Sequence, residues 1–164
     1  DCIKCAESMF KCYCKDKFGM NMQAICDYRL KFTWIDIQWP GSTSDFLSWI
    51  TSNLCQDLED TSMCTILNGY TLVGDNVYVK TRYMSVPLKG KQTDSNHAYN
   101  FYLSQIRITI ERAFYAFMHQ WGILCDPLTI PLRKVLSLSM CLCRLHNYCI
   151  NEMSPMWRKQ TLMI

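Results

Sequence analysis

An apolar stripe of helical period over residues 96–121 constrains the fold of this chain more than any other feature of its sequence. Large apolar side chains recur there every three or four residues, which places them on one face of a long helix. The stripe consists of Tyr99, Leu103, Ile106, Ile110, Phe114, Phe117 and Trp121. Gly122 is a natural stop after it. A helix with one apolar face must bury that face, so the other segments have to supply a core around it.

A β-hairpin is predicted upstream of this helix. Residues 20–39 are rich in β-branched and aromatic side chains, and a polar break near Asp27 divides them. This pattern predicts two long strands joined at the break. Asp27 is then expected in the turn and Asp36 on the solvent face of the second strand.

Two further helices are predicted. Residues 40–45, PGSTSD, turn the chain and offer Ser42 or Ser44 as the cap of a helix that reaches about residue 59. Its residues at helical spacing are Phe46, Leu47, Ile50, Leu54 and Leu58. Pro131 is expected to open the last helix. The residues expected to face inward there are Leu132, Val135, Leu136, Leu142 and Leu145.

A short buried strand is predicted over residues 70–73, ending at Gly74-Asp75, and a loop over residues 84–96. The order is therefore strands, helix, strand, long helix, helix. This order is typical of an α/β domain built on a small mixed sheet.

Composition excludes several classes of protein. Hydrophobic residues make up 49% and charged residues 19%, which is typical of a globular chain and not of a disordered one. The net charge of +3 is too small to indicate nucleic-acid binding by itself. No apolar run approaches the length of a membrane span, and no signal peptide precedes the first segment.

Eleven cysteines are scattered along the chain, and their odd number argues against a disulfide scaffold. Reduced, mostly buried thiols and an intracellular, reducing location are expected. A zinc site is the alternative interpretation. Its candidate ligands would be Cys2, Cys5, Cys12 and Cys14, although the second pair is spaced too closely for the usual zinc knuckle.

Three acids stand out by their context as candidate ligands of a hard divalent cation, which prefers carboxylate oxygens. Asp75 ends the predicted short strand, Glu111 lies beside the apolar stripe of the long helix, and Asp1 opens the chain. Structural interpretations stay open for two of them. Glu111 has Arg107 one helical turn before it and could form a surface ion pair, and Gly-Asp also serves as a turn after a strand.

Five blocks of the sequence resemble, in their order, the PIF/Harbinger group of DDE transposases and the nuclease-like proteins derived from them. The blocks are KFTWIDIQWPGSTSD, LVGDNVYV, VPLKG, SQIRITIERAFYAF and LCRLHNYCI. Together they cover nearly the whole chain. The resemblance implies a ribonuclease H-like mixed sheet flanked by helices, whose first core strand is truncated here. It implies a DDE endonuclease domain over residues 1–152, followed by a C-terminal tail over residues 153–164.

The resemblance also implies a chemistry. The catalytic acids of the family fall on Asp75 in GDNVY, on Glu111 in IERAF and, at the end of the first core strand, on Asp1. Two Mg²⁺ or Mn²⁺ ions held by this triad would cleave DNA phosphodiester bonds. DNA would be the substrate, a separate DNA-binding protein a possible partner, and the nucleus the favoured location.

Basic residues near these motifs are weaker candidates for DNA contact, because lysine and arginine bind phosphates but also decorate ordinary surfaces. They are Lys80, Arg82, Lys89, Lys91 and Arg107.

Departures from the family pattern motivate a second hypothesis. Where Gly-Thr-His is expected after Asp1, the chain has Cys2-Ile3-Lys4, and Tyr115 stands where a glycine is expected. Met118 and Gln120 stand at positions that are commonly basic. The alternative is a decayed or domesticated transposase domain that acts as a non-catalytic DNA- or protein-binding module.

Overall fold

A computed structural model describes residues 20–60, 70–90, 93–125, 128 and 130–152 of the chain. Its elements are small strands and helices of very unequal length. In chain order they are β1 Met20–Cys26, β2 Phe32–Pro40, α1 Asp45–Ile50, α2 Asn53–Glu59, β3 Leu72–Val73, β4 Met84–Ser85, α3 Asp94–Gln120, a 3₁₀ turn Gly122–Leu124 and α4 Leu132–Glu152.

The hairpin predicted over residues 20–39 is confirmed, because β1 and β2 pair antiparallel. Asp27 organises its turn: one carboxylate oxygen accepts from the backbone N–H of Arg29 at 2.8 Å and from that of Lys31 at 3.0 Å. Leu30 has a left-handed φ of 68° in this turn. The backbone N–H of Asp27 also donates to the Lys31 carbonyl at 2.9 Å, so side chain and backbone together close the turn.

Asp36 does not lie on the solvent face, so that expectation was wrong. It is buried opposite Gln23, which is buried as well. The middle of the hairpin is covered on both faces, so alternation along the strand no longer separates solvent from core. Burial raises the pKa of the Asp36 carboxyl, and hydrogen bonds from Gln38 and the Ile37 backbone oppose this.

The helix predicted up to residue 59 is two helices. Ser44 caps α1 by accepting from the backbone N–H of Leu47, and Ser52 caps α2 by accepting from that of Cys55. The Leu47 carbonyl accepts from both the backbone N–H of Thr51, at 3.2 Å, and its hydroxyl, at 2.7 Å, so helical bonding continues to Thr51. The break falls at Ser52, whose backbone is extended where it caps α2.

The break between these helices also changes which residues face inward. Phe46, Leu47 and Ile50 are exposed, whereas Trp49 and Leu58 are buried. The expected single apolar face was therefore wrong for α1. Because the chain breaks between two short helices, a single helical period cannot describe both.

Strands β3 and β4 are two residues long and pair in parallel. Within the described residues, the chain thus has one antiparallel and one parallel two-stranded sheet. A mixed α/β fold of small sheets and helices is confirmed. A single ribonuclease H-like sheet remains an expectation from the resemblance, and the proposed truncated first strand lies outside the described residues.

The long helix α3 matches the predicted stripe closely. Leu103, Phe114 and Phe117 are buried in it, but Ile106 is 58% exposed. Helix α4 follows Pro131 as predicted, with Val135 and Leu142 buried.

Leu136 and Leu145 of α4 are exposed, which corrects the prediction for these two residues. Ser139, Cys143 and His146 are buried instead. These three continue the helical face of Val135 and Leu142, whereas the two leucines lie on other sides of the helix. Hydrophobicity alone missed Ser139 and His146 on this face because they are polar.

The described buried residues form two clusters. The main core lies between the hairpin, α3 and α4, and consists of Met20, Met22, Phe32, Ile37, Ala113, Phe114, Phe117, Leu124, Val135, Leu142 and Cys143. The smaller core lies around α2, β4 and Trp49, and consists of Trp49, Cys55, Leu58, Tyr83, Met84 and Val86.

Polar side chains of the LHNYC block tie α4 to the hairpin. Asn147 accepts from the Phe32 N–H at 2.8 Å and donates to the Phe32 carbonyl at 2.7 Å, as a neighbouring strand would. His146 Nε2 lies 3.1 Å from the Leu30 carbonyl oxygen, and Nδ1 lies 3.0 Å from Oε1 of Gln120. This block therefore has a structural role in the described fold.

The described cysteines form no disulfide. Cys55 and Cys143 are buried, whereas Cys125 and Cys141 are exposed. The expectation of buried thiols is thus confirmed for part of the set. Burial raises the pKa of Cys143 to about 12, which keeps this thiol protonated at neutral pH. The proposed zinc ligands lie outside the described residues.

Candidate functional site

Asp75 follows a short strand that β4 holds in place. The backbone N–H of Leu72 donates to the Tyr83 carbonyl at 2.8 Å, and that of Gly74 donates to the Ser85 carbonyl at 2.9 Å. These two bonds pair the backbone with the neighbouring segment on both sides of Val73. The paired backbone therefore extends as far as Gly74. The residue that follows is therefore positioned by paired backbone, although it lies just beyond the strand.

A tight turn begins at Asp75. The N–H of Tyr78 donates to the Asp75 carbonyl at 3.1 Å, which closes the turn. The Asp75 carboxylate also accepts from the N–H of Asn76, the next residue. The aspartate therefore serves as a turn residue, as the structural interpretation of Gly-Asp predicted, while its carboxylate stays only half-buried.

Gly74 and Tyr78 of the GDNVY block fit against each other. A Cβ on Gly74 would lie 2.8 Å from the Met84 sulfur and 2.9 Å from Cδ2 of Tyr78, which leaves no room for a side chain. The Tyr78 ring in turn packs edge-on against Trp49, with centroids 6.1 Å apart. The glycine is thus needed for close packing beside Asp75.

The pKa of the Asp75 carboxyl lies below its usual value. Partial burial works against ionisation, but hydrogen bonding and nearby positive charge outweigh it. The contributors include the N–H of Asn76 and the guanidinium of Arg107. Asp75 is therefore ionised at neutral pH, as a metal ligand must be.

Glu111 lies on α3 and forms an ion pair with Arg107, which confirms the pairing predicted from their spacing. The Arg107 nitrogen and the Glu111 oxygen are 2.9 Å apart. The two side chains are 20% and 33% exposed, respectively, so this pair is less solvated than an ordinary surface pair on a helix.

A cleft of about 290 Å³ lies between β1, β3, Trp49 and the middle of α3. Asp75 and Arg107 both line it, and Asp45 lies on it as well. Glu111 is not among the described residues that line the cleft. Its position one helical turn beyond Arg107 places it further along the same face of α3.

The PGSTSD block forms another part of the cleft wall. Asp45 is the first residue of α1, and its carboxylate accepts from the Asn21 side chain at 3.0 Å. The Gln23 side chain donates to the Asp45 backbone carbonyl at 2.7 Å. Asp45 thus lies in the first turn of α1, where the helix dipole favours an acid. It also attaches α1 to the hairpin.

The basic residues that were predicted to contact DNA differ in their exposure and in their partners. Lys80 and Lys89 are exposed, and the Arg82 guanidinium donates to the backbone carbonyls of Leu58 and Glu59 at the end of α2. Arg82 therefore satisfies helix-terminal acceptors in addition to any role with DNA. Asp1 and Lys91 lie outside the described residues.

The sequence did not reveal the aromatic wall of the cleft. Trp34 and Trp49 meet edge-on at 6.0 Å, and Tyr78 extends this contact toward the turn of Asp75. Residues 34, 49 and 78 belong to separate segments, so no periodicity links them. The only signal was that Trp34 and Tyr78 fall inside two of the sequence blocks.

The donor chemistry of this region fits a hard divalent cation in part. Asp75 and Glu111 offer carboxylate oxygens, which Mg²⁺ and Mn²⁺ prefer. No group of three His, Cys, Asp or Glu residues in the described parts of the chain could hold a metal ion. The two acids would therefore have to be joined by a further donor, and Glu111 would have to share or leave its ion pair.

A comparison with protein families gives a match over residues 3–147 to the DDE superfamily endonucleases. The match covers most of the chain, and the chain therefore belongs to this family. It includes Asp75 and Glu111, and it begins two residues after Asp1. Comparison with curated proteins and with solved structures gave no significant match. Within the described residues, no helix is long and apolar enough to cross a membrane.

Proposed function

We propose that the chain contains the catalytic domain of a Harbinger-type transposase or derived nuclease that cleaves DNA phosphodiester bonds. One structural observation supports this proposal, in addition to the membership of the family. Asp75 is fixed by β3 at a cleft, and the same cleft is lined by Arg107, whose ion-pair partner is Glu111. Arg107 thus pairs with one acid of the sequence motifs and shares a cleft with the other.

Asp75, Glu111 and Asp1 would hold two divalent cations, Mg²⁺ or Mn²⁺. When bound, the ions would activate a water or a 3′-hydroxyl and stabilise the leaving oxygen. Asp75 would contribute a ligand already ionised and fixed by its turn. Glu111 would approach from the helix, which brackets the site from a second element.

DNA would approach along the basic residues near the motif. Lys80, Lys89 and Lys91 would contact phosphates, and Arg82 and Arg107 are weaker candidates because each has a protein partner. The nuclease domain would span residues 1–152, with a tail over residues 153–164. A separate protein would supply sequence-specific binding, and the protein would act in the nucleus.

Nicking of a supercoiled plasmid in Mn²⁺ tests this proposal. We expect the protein to nick the plasmid and the variants Asp75→Asn and Glu111→Gln to lose about 100-fold or more in rate, because each removes a metal-binding carboxylate. Asp57→Asn removes an exposed acid of α2 and should leave the rate unchanged. Equal rates for Asp75→Asn and the unmodified protein would refute these site residues.

A non-catalytic DNA-binding module is the second candidate, and the position of Glu111 favours it. Glu111 is engaged by Arg107 and does not line the cleft with Asp75. This candidate predicts salt-dependent binding to duplex DNA with no Mn²⁺-dependent nicking. Nicking that disappears in Asp75→Asn would exclude it.

A further inference from the structure

Apolar side chains lie exposed at the rim of the cleft. Tyr28, Val77 and Ile106 all line it, and all three are exposed to solvent. They come from the hairpin turn, the segment after Asp75 and the long helix α3, so no single element accounts for them. Exposed apolar residues that converge on one concave surface mark an interaction site, whereas single scattered ones are ordinary. The cleft therefore presents apolar surface to a ligand.

The aromatic wall of the cleft offers this ligand a flat surface. Trp34 lines the cleft and is only half-buried, so part of its indole is open. Trp49 meets it edge-on with ring centroids 6.0 Å apart. This contact limits the freedom of the Trp34 ring before any ligand arrives. Stacking of a flat ring system on the indole therefore has a small cost in side-chain entropy.

The charged groups of the cleft disfavour a phosphate in its interior. Among the described residues, three aspartates, Asp27, Asp45 and Asp75, line the cleft against one arginine. That arginine, Arg107, is paired with Glu111 outside the lining. A phosphate inside would be repelled by the excess of negative charge. The group that enters the cleft should therefore be neutral.

A buried amide favours a hydrogen-bond donor on that neutral group. Gln23 lines the cleft and is only 4% exposed. Its Nε2 donates to the Asp45 carbonyl at 2.7 Å, but its Oε1 has no hydrogen-bond partner among the described residues. A buried acceptor without a partner destabilises the protein, so a ligand that donates to Oε1 gains affinity. An aliphatic side chain of a partner protein would leave Oε1 unpaired.

A cation lies at the rim, where the charged part of such a ligand would remain. Arg29 is exposed, and its guanidinium lies 5.4 Å from the centre of the Tyr28 ring. Arginine at the rim and aspartates inside together fit a ligand with a neutral flat ring and an anionic backbone. A nucleotide of a DNA strand has this distribution of charge.

We infer that the cleft binds one unpaired nucleobase of a DNA strand, stacked on Trp34 and donating to Gln23, while its phosphates stay outside near Arg29. The volume of about 290 Å³ is at the lower end for small-molecule sites and suits one ring system. Cytosine and adenine carry the required donor on an exocyclic amino group. The base must be unpaired, because both faces of a base inside a duplex are already stacked. The inference rests on the proposed function in taking DNA as the substrate.

Fluorescence anisotropy of two labelled strands tests this inference with the whole chain. One strand is a short oligomer of deoxycytidine, and the other has the same sugar–phosphate backbone without bases. EDTA is present, so no divalent cation contributes and no strand is cleaved. We expect the unmodified protein to bind the cytosine strand about 10-fold more tightly than the abasic strand, because stacking of a base on an aromatic side chain contributes a factor of this size.

Ile106→Trp obstructs the cleft from an exposed position of α3, where a larger side chain leaves the core intact. This variant should bind the cytosine strand about 10-fold more weakly and the abasic strand unchanged. Tyr102→Trp is the matched control. It places the same indole on the same helix, but Tyr102 is exposed and is not among the described residues that line the cleft. Its affinity for either strand should change less than about 2-fold.

Trp34 allows a second test from the aromatic wall. Trp34→Ala should weaken binding of the cytosine strand about 10-fold, whereas Trp34→Phe keeps an aromatic face and should stay within about 3-fold. Trp39→Ala is its control, because Trp39 is a half-buried residue of the same strand outside the described lining. Circular dichroism checks the fold of each variant, and Ile106→Trp decides the question if Trp34→Ala is unfolded.

Two results would overturn the inference. One is equal affinity of the unmodified protein for the cytosine and abasic strands, which would mean that only the backbone is bound. The other is undiminished binding of the cytosine strand by folded Ile106→Trp. Either result would leave a side chain of a partner protein as the occupant of the cleft.

The proposed nuclease function can fail separately. Base-dependent binding in EDTA, together with no plasmid nicking in Mn²⁺, would support the inference and refute the nuclease activity. Plasmid nicking together with equal binding of the two strands would refute the inference and leave the nuclease activity supported.

Discussion

The main core and the smaller core are built differently, and the Asp75 turn of the candidate site is attached to the smaller one. The main core joins a hairpin of long strands to two helices of 27 and 21 residues. The smaller core joins strands of two residues to short helices. Around it, Tyr83 donates to Glu59 at 3.2 Å and contacts the Cys55 sulfur at 3.6 Å.

Because of this difference, the main core determines the stability of the protein, and the smaller core determines the geometry of the turn at Asp75. The main core buries large aromatic side chains: Phe32 packs on Phe114 and Phe117 with centroids 5.4 and 5.5 Å apart. The smaller core buries fewer residues but fixes the turn of Asp75 through Gly74. We therefore expect changes in the main core to unfold the protein, and changes around Gly74 to disturb the site at a smaller cost in stability.

Truncation of the main core should give the largest effect. Phe117 is fully buried, so Phe117→Ala should lower the free energy of unfolding by about 3–5 kcal/mol through lost burial and a cavity. Phe101→Ala, on the same helix but 53% exposed, should cost less than about 0.5 kcal/mol. Urea unfolding followed by circular dichroism measures both. Similar values for the two variants would contradict the assignment of the core.

Removal of the buried histidine should have a smaller effect that depends on pH. His146→Ala leaves the Leu30 carbonyl and the Gln120 amide without this partner, and should cost about 2–3 kcal/mol at pH 8. The exposed His97 gives the control variant His97→Ala, which should be nearly neutral.

The pH dependence follows from the direction of the His146 pKa, which burial lowers and the Leu30 hydrogen bond partly restores. The folded state favours the neutral ring, so its contribution to stability is full above the unfolded-state pKa of about 6.5. It declines as pH falls below that value toward the folded-state pKa. His146→Ala should lack this decline, and an identical pH profile would refute the assignment.

Substitution of Gly74 should give the smallest loss of stability and the most local one. Gly74→Ala forces the Met84 and Tyr78 side chains to move and should cost about 1–2 kcal/mol. Because Tyr78 packs on Trp49, tryptophan fluorescence should change in the folded state. Gly122→Ala is the matched control, since nothing lies within 4 Å of the added Cβ. An unchanged spectrum in Gly74→Ala would contradict the close packing at the turn.

Periodic features of the sequence predicted the parts of the fold that obey a single period. The stripe of α3 was predicted because a helix repeats the same face every three or four residues, and the hairpin turn at Asp27 was predicted because its residues bond to near neighbours in the chain. The split between α1 and α2 was missed because Ser52, which caps α2 with an extended backbone, lies inside a run of residues at helical spacing. Asp36 was misplaced because the hairpin is covered on both faces.

For the candidate site, the sequence by itself determined which acids to consider and that Arg107 and Glu111 would pair, because a helix fixes neighbours four residues apart. The sequence also predicted that the short strand ends at Gly74, directly before Asp75. Only the tertiary structure decided that Arg107 lines the cleft of Asp75 while Glu111 does not. That arrangement depends on how β3 and α3 pack together, and contacts between distant segments leave no period in the sequence.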